Sequence, residues 1–418
     1  MISNIGTSKE NDDNNLIIKP SELKKKMDDG DDFIILDVRT EQEHDMWSIS
    51  YDKYQDSTLI PVDTLMSVES LKKLPKDKEI IAYCAHGQRS SFAANALSSM
   101  GYKVRTVEGG IVEWSNIYDV TNLEIEKTIP LRIWQIRRIS KGCMSYIIAS
   151  TKEKTAVILD PTCSIESIMD DLITRHQLTI VGVVDTHMHA DHLSGATKIA
   201  YKYKAQLNIS SVEKYILEDM STEYHSLIKL INGGDKIKIG DGFYLEAVHS
   251  PGHTEGSMSF RLDLNQKLGD NIHTLDDKNN LAKHPLILFT GDTIFVNGVG
   301  RPDLHNKAQE YTTNLYQTYQ NKIFRLPDDT IVLPSHYSES FEHNKPIFNT
   351  IQSIKLKLAN ITNSENNFSE YVSSNIPPQP MNYNKIVKIN QNLISCEKLF
   401  FRDLEAGPNS CGIKTFNQ

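Results

Sequence analysis

Short apolar, β-branched runs punctuate the first third of the chain. Phe33-Ile34-Ile35-Leu36, Glu79-Ile80-Ile81-Ala82-Tyr83 and Lys103-Val104-Arg105-Thr106-Val107 alternate with stretches of helical spacing, the rhythm of an α/β unit with a parallel sheet. Between Ser90 and Met100, Ala93, Ala96, Leu97 and Met100 recur at helical spacing, and Gly101 follows as a stop. Cys84 therefore opens a loop between a strand and a helix. After Trp114 the pattern lapses into DVTNLEIEKTIP, the composition of a linker. A second series of strands begins near Ile133, with runs at 155–159, 179–184, 243–248, 286–289 and 330–333; residues 264–285 read as a solvated excursion between two of them. The pattern predicts a polar tail over 1–15, an α/β domain over 16–118, a linker over 119–131, a second domain over 132–345, and a C-terminal extension over 346–418 packed on it.

Length supports two cores, since 418 residues exceed what one ordinary core accommodates. Lys and Arg total 45 against 54 for Asp and Glu, a net charge of -9, which argues against a nucleic-acid partner gripped along a broad basic face. No apolar run approaches the roughly 18 residues of a membrane span, and the polar, acidic MISNIGTSKENDDNN does not read as a signal peptide. The expectation is a cytoplasmic protein with no membrane partner; a homodimer is left open. The five cysteines (Cys84, Cys143, Cys163, Cys396, Cys411) are odd in number and scattered, so no disulfide framework is expected and any cysteine that matters should act as a thiol.

Several strands of the second region run straight into polar residues: Val184-Asp185-Thr186-His187, Val248-His249-Ser250-Pro251-Gly252-His253, Phe289-Thr290-Gly291-Asp292 and Leu333-Pro334-Ser335-His336. Strand ends are rigid anchors that can gather ligands from distant parts of a chain. The candidates are His187, His189, Asp191, His192, His253, Asp292 and His336. Imidazole and carboxylate donors suit zinc, iron or manganese, and the lack of thiolate donors in this set points to a catalytic rather than a structural site.

His-x-His-x-Asp-His at 187–192, followed by Pro-Gly-His-Thr, Gly-Asp-Thr and Pro-Ser-His, resembles the metallo-β-lactamase superfamily. The resemblance implies an αββα sandwich with metal at one edge of two facing sheets, giving an α/β plus α+β fold class for the whole chain. Two branches fit: dinuclear zinc thioester hydrolases similar to glyoxalase II, and mononuclear Fe(II) persulfide dioxygenases. The stretch Gly298-Val299-Gly300-Arg301-Pro302-Asp303 is similar to the Gly-x-Gly-Arg-x-Asp signature of the second branch. The tail segments Ile376–Tyr383 and Leu404–Cys411 look like those of its prokaryotic relatives. On that resemblance iron is held by His187, His253 and Asp292, a two-His-one-carboxylate face with positions left open. His189, Asp191, His192 and His336 then orient ligands and water or, in the hydrolase branch, complete a second metal position.

Cys84-Ala85-His86-Gly87-Gln88-Arg89-Ser90 joins a strand to a helix, so backbone amides and the helix N-terminus can face the sulfur while Arg89 adds a cation. With Leu36-Asp37-Val38-Arg39 before it and Val107-Glu108-Gly109-Gly110-Ile111-Val112-Glu113-Trp114 after it, this region resembles a single rhodanese domain. Two departures are visible: Trp47–Tyr51 stands where Gly-His-Ile-x-Gly-Ala is usual, and Ala85-His86 replaces Arg-Ser. The resemblance implies a persulfide on Cys84, with Arg89 assisting. Together the domains imply a persulfide dioxygenase fused to a sulfurtransferase, using a low-molecular-weight thiol persulfide such as glutathione persulfide, O2, and thiosulfate or sulfite. The rivals are the zinc thioester hydrolase and, in another class, a non-catalytic sulfane-sulfur carrier or sensor.

Overall fold

The computed structural model describes residues 16–218, 222–265, 284–304, 307–338, 341–394, 396, 401–408 and 411–414. The tail expected over 1–15 and most of the excursion expected over 264–285 lie outside the described residues. The apolar runs of the first region form a five-stranded sheet in the order Ile17–Ile18, Val104–Val107, Glu79–Tyr83, Phe33–Asp37, Thr58–Leu59, every neighbouring pair parallel. Such a sheet must be covered on both faces, which is why its strands are almost continuously apolar. Leu23, Met27 and Trp114 bury one face, and Ala93, Ala94 and Leu97 of the helix Gln88–Ser99 bury the other.

The second region is a sandwich. A seven-stranded sheet (order Ile228–Ile231, Gln206–Ser210, Thr179–Val184, Thr155–Leu159, Met144–Ser150, Leu131–Arg138, Tyr118–Leu123) faces a six-stranded sheet (Lys236–Gly240, Phe243–His249, Met258–Asp263, Leu286–Gly291, Ile331–Pro334, Asn349–Thr350). Ile133, Ile148 and Leu159 of the first interdigitate with Leu245, Phe260 and Phe289 of the second. Glu166–His176 and Ala196–Tyr203 cover the outer face of one sheet, and Ala308–Thr318, Ile351–Thr362 and Glu365–Asn375 that of the other. The layers are therefore αββα.

Two expectations need correction. Tyr118–Leu123, inside the stretch read as a linker, is a strand paired antiparallel with Leu131–Arg138. Its residues alternate in burial, but one short edge strand carries too little apolar pattern to announce itself. Cys163 and Cys396, expected as thiols, are joined in a disulfide across 233 residues. The C-terminal extension folds back over the second domain and brings them together, a contact that no spacing along the chain encodes. The same extension delivers Glu405, which is fully buried against the equally buried Arg138 and accepts from the Leu193 amide. Removing one member of such a pair strands a buried charge, at a cost of about 3–5 kcal/mol.

A buried polar knot ties the two domains. Asp119, on the strand mistaken for linker, receives Lys24 at 3.0 Å from the first domain and Arg137 from the second. Tyr51 donates to Asp28 at 2.7 Å and lies 2.9 Å from His343 Nδ1. Burial alone would raise the Asp119 carboxyl, but Lys24 and Arg137 outweigh it and hold it at about 2. A depressed carboxylate stabilises the fold above its unfolded pKa near 3.9 and loses that contribution as pH falls towards its folded value. Acid titration from about pH 4 to about pH 2 should thus weaken the wild type more steeply than Asp119→Asn, read as apparent melting temperature against pH. Equal slopes would show that this carboxylate does not govern the acid limb.

Candidate metal centre and cysteine loop

The strand ends converge as the sequence pattern predicts. His187 follows Thr179–Val184, His253 follows Phe243–His249, and Asp292 follows Leu286–Gly291; all three side chains are buried. His187 Nε2 and His253 Nε2 each lie 3.7 Å from Asp292 Oδ2. That oxygen is buried and, among the described residues, has no hydrogen-bond partner. The other faces of the three groups are engaged. Thr186 Oγ1 lies 2.9 Å from His187 Nδ1, the Arg301 carbonyl lies 2.8 Å from His253 Nδ1, and His336 Nδ1 lies 2.7 Å from Asp292 Oδ1. Every outer atom is thus held, leaving two imidazole nitrogens and one carboxylate oxygen facing a common point, the arrangement a cation would complete. Burial and the imidazoles of His189, His253 and His336 push His187 well below its ordinary range, and burial lowers His253, so both offer neutral rings.

Gly291 makes this approach possible. Its φ is +52°, and a Cβ there would stand 2.6 Å from Thr186 Oγ1, the atom that orients His187.

The remaining four predicted residues fall into two groups. His336 Nε2 lies 3.1 Å from Asp191 Oδ2, and Asp191 Oδ1 lies 3.0 Å from His192 Nδ1. His336 thereby bridges the carboxylates of Asp292 and Asp191; burial opposes its protonation, but Asp292 heads the charges that hold it well above the usual imidazole range. His189 lies between His187 and His192, its ring 4.3 Å from that of the first and 4.2 Å from that of the second, with its Nε2 3.3 Å from Asp160 Oδ1 and 3.8 Å from Asp185 Oδ1.

The sequence reading missed two buried cysteines here. Cys143 Sγ is 3.6 Å from Asp191 Oδ2 and 3.8 Å from His192 Nδ1. Burial and Asp191 would raise its thiol, but His192 and His336 outweigh them and bring it to about 7. Cys411 is gathered with Asp292 and His336. Also missed was Asp160, which accepts from the Thr186 amide at 2.7 Å and from the hydroxyls of Thr186 and Ser335. The strand Thr155–Leu159 runs directly into Asp160, so the strand-end rule that picked out the other candidates applied equally there. Arg301 pairs with Asp303 through Nε and Nη2 at 2.7 and 2.8 Å.

In the first domain, Cys84 is 2% exposed, its Sγ accepting from the Gly87 amide at 3.1 Å and lying 3.5 Å from Ser90 Oγ. One backbone amide, that of Gly87, therefore turns towards the sulfur, and a side-chain hydroxyl approaches it. The loop is stitched to its neighbour by the Ile111 amide, which donates to the Cys84 carbonyl at 2.9 Å. Only glycine fits at Gly110, where a Cβ would come within 2.3 Å of that carbonyl. Arg89 is not a lone cation. Both its terminal nitrogens pair with Glu43, at 2.8 and 2.6 Å, and that pairing heads the causes holding the Glu43 carboxyl at about 2. His86 is exposed and lies 3.3 Å from Asp403 Oδ1 of the C-terminal extension.

Comparison with known proteins follows the same division. Residues 19–117 match the family described as Rhodanese-like domain, and residues 141–266 match the Metallo-beta-lactamase superfamily. The human protein named persulfide dioxygenase ETHE1, mitochondrial, is 28% identical over 212 residues, covering 51% of this chain and 70% of that protein. The hydroxyacylglutathione hydrolase of Dictyostelium discoideum is 27% identical over 241 residues, covering 53% of this chain and 76% of that one. A crystal structure of a metallo-beta-lactamase from Staphylococcus aureus subsp. aureus COL superposes with a TM-score of 0.50 at 25% identity, covering 66% of this chain and 72% of that one.

Proposed function

Because the chain joins a rhodanese-like domain to a metallo-β-lactamase-superfamily domain, we propose that it oxidises a low-molecular-weight thiol persulfide with O2 at the metal centre and moves sulfane sulfur through Cys84. One persulfide, one dioxygen and one water give one thiol, one sulfite and two protons. The sulfane sulfur loses four electrons and dioxygen gains them.

The observation that carries this reading is the orphaned, buried Oδ2 of Asp292 facing two imidazole Nε2 atoms. That donor set fits a mononuclear Fe(II) site, with His187, His253 and Asp292 as the residues that would hold it. Bound iron supplies the one-electron chemistry by which dioxygen can meet a closed-shell sulfur compound. The chain does the rest. Thr186 and the Arg301 carbonyl hold each ring so that Nε2 faces inward, and His336 occupies Asp292 Oδ1 so that only Oδ2 is offered. Burial of all three ligands excludes bulk water from the inner face. The likeness to a persulfide dioxygenase supports the same reading, and the rhodanese-like domain gives it a shared substrate class.

A second reading, a dinuclear zinc thioester hydrolase, is favoured by the cluster of Asp191, His192 and His336 and by the likeness to a hydroxyacylglutathione hydrolase. One experiment separates them: oxygen uptake and sulfite formation by anaerobically iron-loaded protein given glutathione persulfide, beside a zinc-loaded sample given a glutathione thioester. Iron-dependent uptake with stoichiometric sulfite is expected; thioester cleavage by the zinc form with no uptake by the iron form would reverse the assignment.

A further inference from the structure

The loop carrying His189, Asp191 and His192 is gripped by the C-terminal extension. Asn390, at the end of the helix Tyr383–Gln391, donates through Nδ2 to the carbonyls of His189 and His192, each at 2.9 Å, and accepts from the Ser194 amide at 3.0 Å. Farther along, Glu405 accepts from the Leu193 amide at 2.7 Å, and its own carbonyl accepts from Lys141 at 2.9 Å. Residues 189–193 are buried and lie in neither helix nor strand, so these backbone groups depend on partners brought from outside the loop.

The grip reaches the proposed metal donors through one imidazole. Asp191 sits in the middle of the loop with Oδ2 3.1 Å from His336 Nε2, and His336 Nδ1 lies 2.7 Å from Asp292 Oδ1. A shift of the loop therefore disturbs the carboxylate that faces His187 and His253.

A disulfide closes the grip. Cys396 stands in the chain between Asn390 and Glu405, and its partner Cys163 donates its amide to the Leu193 carbonyl at 3.0 Å. Leu193 is fully buried in one small apolar cluster with Cys163, Cys396 and Ile386, and Ile389 and Leu404 pack against it. Apart from Cys163 and Leu193, every member of that cluster belongs to the extension. The extension thus covers the bond that holds it in place, so the local opening that exposes the bond also loosens the grip.

We infer that Cys163–Cys396 is a thiol-exchange site, opened by a low-molecular-weight thiol, and that its opening loosens the metal loop. A thiolate attacks one sulfur, forms a mixed disulfide with it and expels the other cysteine as a thiolate, which takes a proton. A second thiol then attacks the mixed disulfide, frees the first cysteine and leaves as the oxidised small-molecule disulfide. Two electrons pass from the two thiols to the protein bond. In thiol-rich surroundings the disulfides that occur are mostly catalytic or redox-sensing. The choice of a thiol as reductant rests on the dioxygenase reading, in which each turnover releases one; the grip itself is the same for iron or zinc.

The test uses the full-length, iron-loaded protein under nitrogen, before and after treatment with β-mercaptoethanol and its removal. Free thiols, counted on denatured protein, should rise from three to five. Amide hydrogen exchange in the peptide spanning residues 187–195 should become about tenfold or more faster, as the cross-link no longer opposes local opening. Iron release to a chelator should quicken with it, while the strand Glu79–Tyr83 exchanges as before. Asn390→Ala should bring the same two changes with the thiol count still three, and the double change Cys163→Ala, Cys396→Ala should bring them without thiol treatment. A count still at three after treatment would overturn the exchange site. Unaltered loop exchange in the reduced protein, a rise shared equally by Glu79–Tyr83, or faster exchange with unaltered iron release would each overturn its hold on the metal loop. No readout here uses oxygen uptake, so the expected pattern in a protein that consumes no oxygen would leave the exchange site standing and sink the dioxygenase reading instead.

Discussion

Replacing His253 by alanine should bring oxygen uptake to background in protein titrated with Fe(II), while sulfur transfer at Cys84 continues. His253 Nε2 is one of three donors facing a common point, 3.7 Å from Asp292 Oδ2, and its Nδ1 is already held by the Arg301 carbonyl. Its loss leaves one imidazole and one carboxylate, too few to retain iron against water. The effect should exceed the about 10–100-fold fall in metal affinity expected from removing an outer hydrogen bond to a ligand. His336→Gln supplies that comparison, because His336 touches Asp292 Oδ1 rather than the inward-facing oxygen. Iron stoichiometry and oxygen-electrode rates, measured on both variants, separate holding the metal from orienting its ligand. If His253→Ala kept a full equivalent of iron and its uptake rate, the proposed ligand set would be wrong.

The second large effect is expected at Cys84. Cys84→Ser should abolish transfer of sulfur from thiosulfate to an acceptor thiol, because a hydroxyl cannot form the persulfide that the step requires. The loop itself should survive, since the Gly87 amide can donate to oxygen as it does to sulfur and the Cys84 carbonyl keeps its bond from Ile111. Oxygen uptake on externally supplied persulfide should stay within about twofold, as for sites that share no partners. The C-terminal extension makes this a real test: Arg402 pairs with Glu113, Asp403 with His86, and Glu405 accepts from the Leu193 amide beside His192. If Cys84→Ser also halted oxygen uptake, the two centres would have to be coupled, with this segment as the physical link.

Much of the architecture was legible because burial writes itself into sequence. Strands covered on both faces must be continuously apolar, so Phe33–Asp37 and Glu79–Tyr83 stand out without any structure. Metal donors at strand ends stand out for a related reason, since an abrupt run of His and Asp after an apolar strand has few other uses. Asp160 was legible by that rule and overlooked. Tyr118–Leu123 was not legible, since an edge strand with polar Asp119 and Asn122 looks like linker until Leu131–Arg138 lies beside it.

The sequence by itself determined the two domain types, the parallel character of the first sheet, the position of Cys84 at a strand-to-helix loop, and the identities of the seven candidate metal residues. Tertiary structure alone decided how those seven divide, with His187, His253 and Asp292 facing one point, His336 joining Asp292 to Asp191, and His189 turned towards Asp160. It also decided that Arg89 is paired with Glu43, that Cys163 meets Cys396, and that Cys143 and Cys411 lie against the metal residues. The difference is physical. Periodic burial is a local property, repeated every two or three and a half residues and readable along a line. A contact between residues separated by 233 positions depends on how sheets stack and where the extension returns, and no local pattern carries that information.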